Sequence, residues 1–391
     1  MVRIIYISRA NFLSGRTNVY NLTKTCEMLN QQKDFKVNLV TTDQQRDIDA
    51  FFYRMGVRQP FEVTCLGITN TSSVYGGSWW HEPLMFFFSN FYLALFLLWR
   101  VRRFDVLYFR DESFFPLAWW VKILLRKRVF FETHSVLQSK HRQMMNLIVI
   151  RLAHGVIAIS SGLKHFYQKT NNNILLSLCS AAEDLWFDHS QSKDTLRKQL
   201  GLPIDAFLAG YTGMVGVNPN NDYYEVDDIV RSLPSLPNKI IYVIVGEING
   251  NAQWLRKIAL ENGVQERVII VPWQERSRIP KYLQAFDAVL IPKRKKDLVG
   301  DSPAKMFPAL ASRRPIIGGR TECIEEVLTD DVDAVIVERN NPEGWAEAIK
   351  KIYENNNLAR KLSDQAWITK DKYTWEKRGV AIAQFIKNLT N

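Results

Sequence analysis

The residues with the clearest chemistry in this chain lie between Asp301 and Gly319, in the stretch DSPAKMFPALASRRPIIGG. Ser302 followed by Pro303 is a helix-start signal: a side-chain oxygen to cap the first amides, then a residue whose φ is already helical. Ala304 to Ala311 supply a short apolar helix, which Arg313, Arg314 and Pro315 stop. Pro315-Ile316-Ile317 then reads as a buried strand closed by Gly318 and Gly319. A helix entered this way presents free backbone N–H groups and the positive end of its dipole, with Lys305 in its first turn. That suits an anion, above all a phosphate, although Ser-Pro also opens helices that bind nothing. His134 stands just past Val129-Phe130-Phe131-Glu132, a predicted strand, where catalytic and ligand-binding side chains gather in α/β folds. By position alone, a ring satisfied by loop backbone is the commoner case. Ser14-Gly15-Arg16 falls in another such loop, but the lone Gly15 is no dinucleotide fingerprint.

These residues need strands that end beside them. Arg3 to Ser8, a loop from Arg9 to Thr17, a helical stretch through Met28-Leu29 and the apolar run Val37 to Thr41 form a β–loop–α–β unit, which predicts a parallel sheet. Further strands are expected at Asp105 to Tyr108, Val129 to Glu132, Val156 to Ile159 and Ile174 to Leu178. A polar segment from Asp188 to Lys198 then interrupts the pattern and reads as a linker with the start of a helix ending at Gly201. The alternation restarts at Phe207 to Thr212, Ile240 to Val245, Val268 to Val271, Ala288 to Ile291, Pro315 to Ile317 and Ala334 to Val337. Two doubly wound α/β domains in tandem are the expectation, with ligands at the carboxyl ends of the strands, in the cleft between the domains.

Length and composition agree: 391 residues suit two domains, and 47% hydrophobic with 23% charged residues describe a globular chain with ample core. The net charge of +11, from 51 basic and 40 acidic residues, favours anionic partners: phosphates, nucleic acid or an acidic membrane face. The basic residues are spread over both halves without a nucleic-acid module, so nucleic acid is not expected. Cys26, Cys65, Cys179 and Cys323 are scattered, with no CxxC spacing, and read as reduced packing residues in a cytoplasmic protein with no metal site. The start, Met1 to Ile7, reads as a first buried strand rather than a signal peptide. PLMFFFSNFYLALFLLW, Pro83 to Trp99, is slightly short for a spanning helix, and a crossing there would cut the sheet in two. A helix packed on the sheet is expected, its aromatic face and its Arg100, Arg102 and Arg103 end either touching lipid headgroups or forming core plus solvated charge.

The second half resembles the family 4 glycosyltransferases, retaining enzymes of GT-B architecture that use activated sugar donors. Tyr211-Thr212-Gly213, Ile244-Val245-Gly246-Glu247, the segment Pro280 to Pro292, Ser302-Pro303-Ala304-Lys305-Met306-Phe307 with Pro315-Ile316-Ile317, and Tyr373-Thr374-Trp375-Glu376 are similar to that family's motifs, in its order. In the first half, Asp105 to Arg110, Phe131-Glu132-Thr133-His134, Gly155 to Ser160 and Ala182 through Phe187 resemble its N-domain strands and interdomain turn. The resemblance covers nearly the whole chain. It implies an α/β GT-B fold, two Rossmann-like doubly wound domains facing each other across a cleft. Residues 1–187 would form an acceptor domain joined by the C-terminal helix 373–391, with 188–204 as linker and 205–372 as the nucleotide-sugar donor domain.

It also implies the roles. Gly213, Gly246, Glu247, Trp273, Ser302, Ala304 and Lys305 would hold the donor, a nucleotide-diphosphate sugar used as co-substrate without a further cofactor. His134, Lys305 and Asp301 would act at the reacting sugar, and Gly15, Arg16, Asp111 and Glu112 would meet a glycan or lipid-linked acceptor. The expected activity is sugar transfer in cell-surface polysaccharide or glycoconjugate synthesis, in the cytoplasm or on the inner face of the membrane. Several family positions differ. Pro308 stands where a glutamate usually grips the donor ribose, Gly300 (beside Asp301) where a second glutamate meets the sugar, and Met214 and Asn220 or Asn221 where an Arg and a Lys meet the diphosphate. The anion site would then rest on Lys305, the helix amides and Lys293 or Arg294, with Pro308 leaving one helical amide bond unmade. The same losses favour the alternative of a non-catalytic GT-B-shaped partner of another transferase.

Overall fold

The computed structural model describes residues 1–10, 12, 17–44, 47–68, 81–137, 139–178, 187–216, 224–293, 302 and 304–390, with backbone alone for 81–85. The chain divides into two compact units. One is Met1–Ser180 with Leu298–Ser302 and Trp375–Asn391, and the other is Ala181–Asp297 with Pro303–Thr374.

The first unit is a seven-stranded parallel sheet made of β1 (Val2–Ser8), β2 (Phe35–Thr41), β3 (Glu62–Cys65), β4 (Val106–Phe109), β5 (Arg128–Thr133), β6 (Gly155–Ala158) and β7 (Ile174–Leu176). Its order is β3-β2-β1-β4-β5-β6-β7. The central strands are apolar on both faces, as a sheet covered on both sides requires, and β4 and β6 are buried throughout. The expected strands are all present within a residue or two. β3 was not anticipated: EVTC is a four-residue edge strand with half-exposed side chains, so it lacks the continuous apolar run that marks the others.

The second unit is a six-stranded parallel sheet of β8 (Phe207–Thr212), β9 (Ile240–Glu247), β10 (Val268–Pro272), β11 (Ala288–Ile291), β12 (Ile316–Gly319) and β13 (Val335–Val337), in the order β10-β9-β8-β11-β12-β13. Its core closes around the fully buried Trp345. Residues 188–204, read from the sequence as a linker, are built into this unit. Ser192 caps the helix Lys193–Leu200 by accepting from the Thr195 amide, and Gly201 ends it in the left-handed region. The buried Arg197 of that helix donates to the carbonyls of Ala285, Ile204 and Ala206 and pairs with Asp287 at 2.5 Å, which fixes the segment to the sheet.

The stretch around Lys305 also departs from expectation. The helix runs from Met306 to Ala311, with Lys305 at its N-cap position and no side-chain cap, so Ser302 is not its cap. Starting there puts Pro308 in the first turn, where an N–H has no intrahelical partner in any case, and the proline costs no helical bond. Pro303 lies outside the described residues.

The C-terminal helix Trp375–Thr390 packs on the first unit against the helix Thr17–Asn30, with Tyr20 and Trp375 ring centroids 5.8 Å apart. Its buried Arg378 reaches β5, donating from Nη2 to Glu132 at 2.9 Å and from Nη1 to the Ser177 hydroxyl at 2.7 Å. Removing one member of such a buried pair leaves the other charge stranded. Arg378→Met is expected to cost about 3–5 kcal/mol in denaturant unfolding of the first unit, and adding Glu132→Gln to recover much of it. A single-variant loss below about 1 kcal/mol would mean that the pair does not hold the helix.

Candidate functional site

Parallel doubly wound sheets bind ligands outside the carboxyl ends of their strands, at the point where strand order reverses. In the first unit that point lies between β1 and β4. Arg9 follows β1, donates from Nη1 to the Ser113 hydroxyl at 2.8 Å, and lies over the Phe114 ring at 4.5 Å. Its Nε and Nη2 are buried and have no hydrogen-bond partner among the described residues. Burial lowers the Arg9 pKa, partly offset by the nearby Asp111 carboxylate. Asp111 itself accepts from the Ser113 amide at 2.9 Å, whereas Glu112 turns inward and pairs with Arg142 at 2.6 Å.

One strand along, Glu132 near the end of β5 gathers four groups. Tyr108 donates to its Oε2 at 2.6 Å, Arg378 pairs with the same oxygen, His134 Nε2 lies 2.7 Å from Oε1, and Arg110 adds its field. Burial would raise this carboxyl, but Arg378 and His134, with Arg110 behind them, outweigh it and hold the pKa well below the usual carboxylate range. His134 is lowered to about 4 by burial first and by Arg110 second. With Glu132 ionised, the neutral ring carries its hydrogen on Nε2 and keeps an acceptor lone pair on Nδ1.

The second unit has its reversal between β8 and β11, and its cations converge there. Gly246 has φ +133°, and a Cβ on it would lie 2.2 Å from the Gly213 carbonyl oxygen. A Cβ on Gly213 would in turn lie 2.2 Å from Lys305 Nζ. These two glycines, at the ends of β8 and β9, let the chain turns stack closely and bring the Lys305 ammonium over the end of β8. There Lys305 donates to the Tyr211 hydroxyl at 2.8 Å and sits 3.3 Å from the Tyr224 ring centroid. Lys293, only 3% exposed and two residues past β11, approaches the same ring at 5.2 Å. Two ammonium groups therefore lie against the Tyr224 ring at this end of the sheet.

Of the residues expected to bind the donor, Gly213, Gly246 and Lys305 come together here. Glu247 ends β9, but its carboxylate is clamped by Arg256 through two bonds of 2.5 and 2.8 Å, which lower its pKa. Trp273 follows β10, donates its amide to the Glu247 carbonyl at 2.8 Å and leaves its ring half exposed. Ala304 lies in the turn before Lys305. Gly15, Arg16, Arg294, Gly300, Asp301, Asn220 and Asn221 lie outside the described residues. Sequence reasoning did not single out Arg9, Tyr211's hydroxyl, Tyr224 or Arg378. Arg9 had a usable signal, a charge directly after a buried strand, whereas Tyr224 had none. Among the described residues, no three His, Cys, Asp or Glu side chains gather as a metal-binding group.

Two parallel sheets, each doubly wound, match the GT-B architecture of solved structures. Residues 214–367 match the family model of glycosyl transferases group 1. Over the whole fold, this chain is similar to sucrose-phosphate synthase from Thermosynechococcus elongatus (TM-score 0.76, 16% identity, covering 100% of this chain and 99% of that one). It is also similar to HepE of Anabaena, solved in complex with UDP (TM-score 0.75, 14% identity, covering 99% of this chain and 100% of that one). Among curated proteins, the D-inositol 3-phosphate glycosyltransferase of Xylanimonas cellulosilytica is 26% identical over 194 residues, 49% of this chain and 44% of that protein. The protein of the same name from Streptosporangium roseum is 28% identical over 170 residues, 41% of this chain and 37% of that protein. The chain therefore spans less than half the length of the curated relatives it matches.

The imidazoles set an acid limit on the fold. His154, like His134, is lowered to about 4, by burial first and then by Lys122 and Arg128, and its Nδ1 accepts from the Val129 amide at 3.1 Å. Folding lowers both values below the ordinary 6.5, so the neutral rings favour the folded state above that pH, and their contribution is lost as pH falls towards 4. Thermal unfolding followed between these limits is expected to show a shallower acid loss in His154→Asn and His134→Asn than in the parent chain. An unchanged slope in both variants would remove the rings from the acid response.

Proposed function

We propose that the protein is a glycosyltransferase that moves a sugar from a nucleotide-diphosphate donor to a glycan or lipid-linked acceptor. The acceptor belongs to cell-surface polysaccharide or glycoconjugate synthesis on the cytoplasmic side of a membrane. The observation that carries the reading is the Lys305 ammonium, held over Gly213 by Tyr211 and Tyr224 at the strand-order reversal of the second sheet. The match of residues 214–367 to a glycosyl transferase model and the UDP held by the similar HepE structure support it.

Breaking a sugar–diphosphate bond develops positive charge at the anomeric carbon and negative charge on the leaving phosphate. Fixed cations that meet the phosphate favour that charge more in the transition state than in the bound substrate. Lys305 takes this role, with Lys293 beside it, and two ammonium groups provide a route without a metal. The acceptor hydroxyl attacks from the same face that the phosphate leaves, its proton passing to the departing phosphate, so the configuration is retained and no protein nucleophile is needed. In the first unit, neutral His134 offers Nδ1 to a sugar hydroxyl, and Asp111 orients the acceptor. Pro308 replaces the expected ribose-gripping glutamate, so the site accepts deoxyribonucleotide donors as readily as ribonucleotide ones.

A second reading, a GT-B-shaped partner without turnover, rests on Pro308, Gly300 and Met214 standing in place of charged family residues. Calorimetry with UDP, GDP, ADP and dTDP, with and without magnesium, separates the two. The transferase reading expects metal-independent binding of at least one nucleotide, weakened about tenfold or more in Lys305→Ala, the loss of one charge-assisted hydrogen bond. Binding unchanged in Lys305→Ala would remove that residue from the site. Failure of all four nucleotides to bind, with stable capture of a second transferase, would favour the partner.

A further inference from the structure

The helix His81–Trp99 breaks the usual rule for a surface helix. Ser89, Asn90, Leu93 and Leu97 are buried on one side, and the Asn90 amide donates inward to the carbonyls of Phe86 and Ser113. The opposite side is apolar too: Phe87, Phe88, Phe91, Leu95, Leu98 and Trp99 are all exposed, Phe87 by 63% and Trp99 by 71%. A helix apolar all round belongs in a core or against lipid, and this one has only half of its surface in a core. The helix Phe115–Ile123 packs beside it, with the Phe86 and Phe115 rings 6.2 Å apart, and extends the patch with exposed Trp119, Ile123 and Leu124.

Basic residues predominate around this patch, although Arg100 also meets Glu62 at 3.9 Å. No Asp or Glu occurs between Glu82 and Asp105 or between Glu112 and Glu132, whereas Arg100, Arg102, Arg103, Arg126, Lys127 and Arg128 follow the two helices. Arg102, Arg103, Arg126 and Arg128 are exposed. Trp99 carries the Arg100 guanidinium at 4.8 Å and that of Arg103 at 5.9 Å, an amphipathic aromatic with cations on its rim. Trp and Arg combined in this way suit the boundary between acyl chains and headgroups. No helix among the described residues is long and apolar enough to cross a membrane, and the inward-facing half of this one is already committed to the protein.

We infer that the exposed face formed by Phe87, Phe88, Phe91, Leu95, Leu98 and Trp99, with Trp119, Ile123 and Leu124, lies in the surface of an anionic lipid bilayer, its apolar side chains below the headgroups and the arginines on lipid phosphates. A second copy of the chain would have to set these like charges against one another; an anionic surface complements them. This deepens the reading of a transferase working at a membrane, but stands on this face alone and needs no sugar transfer.

Co-sedimentation of the full chain with vesicles of phosphatidylcholine, and of phosphatidylcholine mixed with phosphatidylglycerol, tests it. Binding to the anionic vesicles and not to the neutral ones, weakened by salt, is expected. Arg102→Gln and Arg103→Gln should each lower partitioning about fivefold. Phe87→Ser with Phe91→Ser, both at exposed sites, should abolish it with thermal unfolding unchanged. Equal binding to both vesicle types, or binding that survives the phenylalanine changes, would overturn the inference. So would a dimer in solution that those changes dissociate without any vesicle binding, which would make the face a contact between copies. Nucleotide calorimetry on the same variants keeps the two readings apart: lost vesicle binding with intact nucleotide binding leaves the donor site standing, and the reverse leaves the lipid face standing.

Discussion

A single carboxylate organises the carboxyl end of the first sheet. Glu132 is buried near the end of β5, an unfavourable place for a charge unless it is paired and hydrogen-bonded. Arg378 from the C-terminal helix supplies the countercharge, Tyr108 a hydroxyl and His134 a ring N–H. The same contacts do two things. They seat the last helix on the first sheet and orient the imidazole, while burial and the Arg110 field, acting against the pull of Glu132, keep that imidazole neutral. The seating of the last helix and the orientation of the His134 ring therefore rest on the same atoms, and a change to Arg378 reaches His134 through Glu132.

The second unit solves a different problem, placing a flexible lysine with little freedom left to it. Close stacking of Gly246 on Gly213 clears the space, and the Tyr211 and Tyr224 rings wall it, so the ammonium is fixed before any ligand arrives. Preorganised charge of this kind lowers the reorganisation needed when a phosphate leaves. Glu247 stands nearby in sequence terms but is held by Arg256, so at this turn the glycine backbone matters more than the neighbouring carboxylate.

The exposed aromatic helix belongs to the first unit, the one whose proposed ligand is the acceptor. A lipid-linked acceptor and a lipid-facing surface carried by one unit would share a physical logic: holding the protein in two dimensions raises the local concentration of a membrane-bound substrate. Among the described side chains of that helix, Ser89 and Asn90 are turned into the protein, and the outer side carries aromatic and aliphatic groups, Tyr92 among them.

Local patterns in the sequence determined the architecture. Continuous apolar runs separated by helical stretches admit little other than covered parallel sheets, and Ser192 and Gly201 mark the ends of their helix by capping chemistry alone. Lys305 was visible as a cation in the first turn of an expected helix, whereas the glycines at the ends of β8 and β9 were visible through their resemblance to family motifs. What the sequence did not contain is the side chain's partner. Glu132 meets Arg378 across 246 positions and Lys305 meets Tyr211 across 94, distances over which no periodicity carries information. Nor did the sequence show that 188–204 packs as part of the second unit through Arg197, that the Lys305 helix opens at Met306, or which half of an all-apolar helix faces outward. Those outcomes depend on which buried charges and surfaces the folded chain brings together, and only tertiary packing decides that.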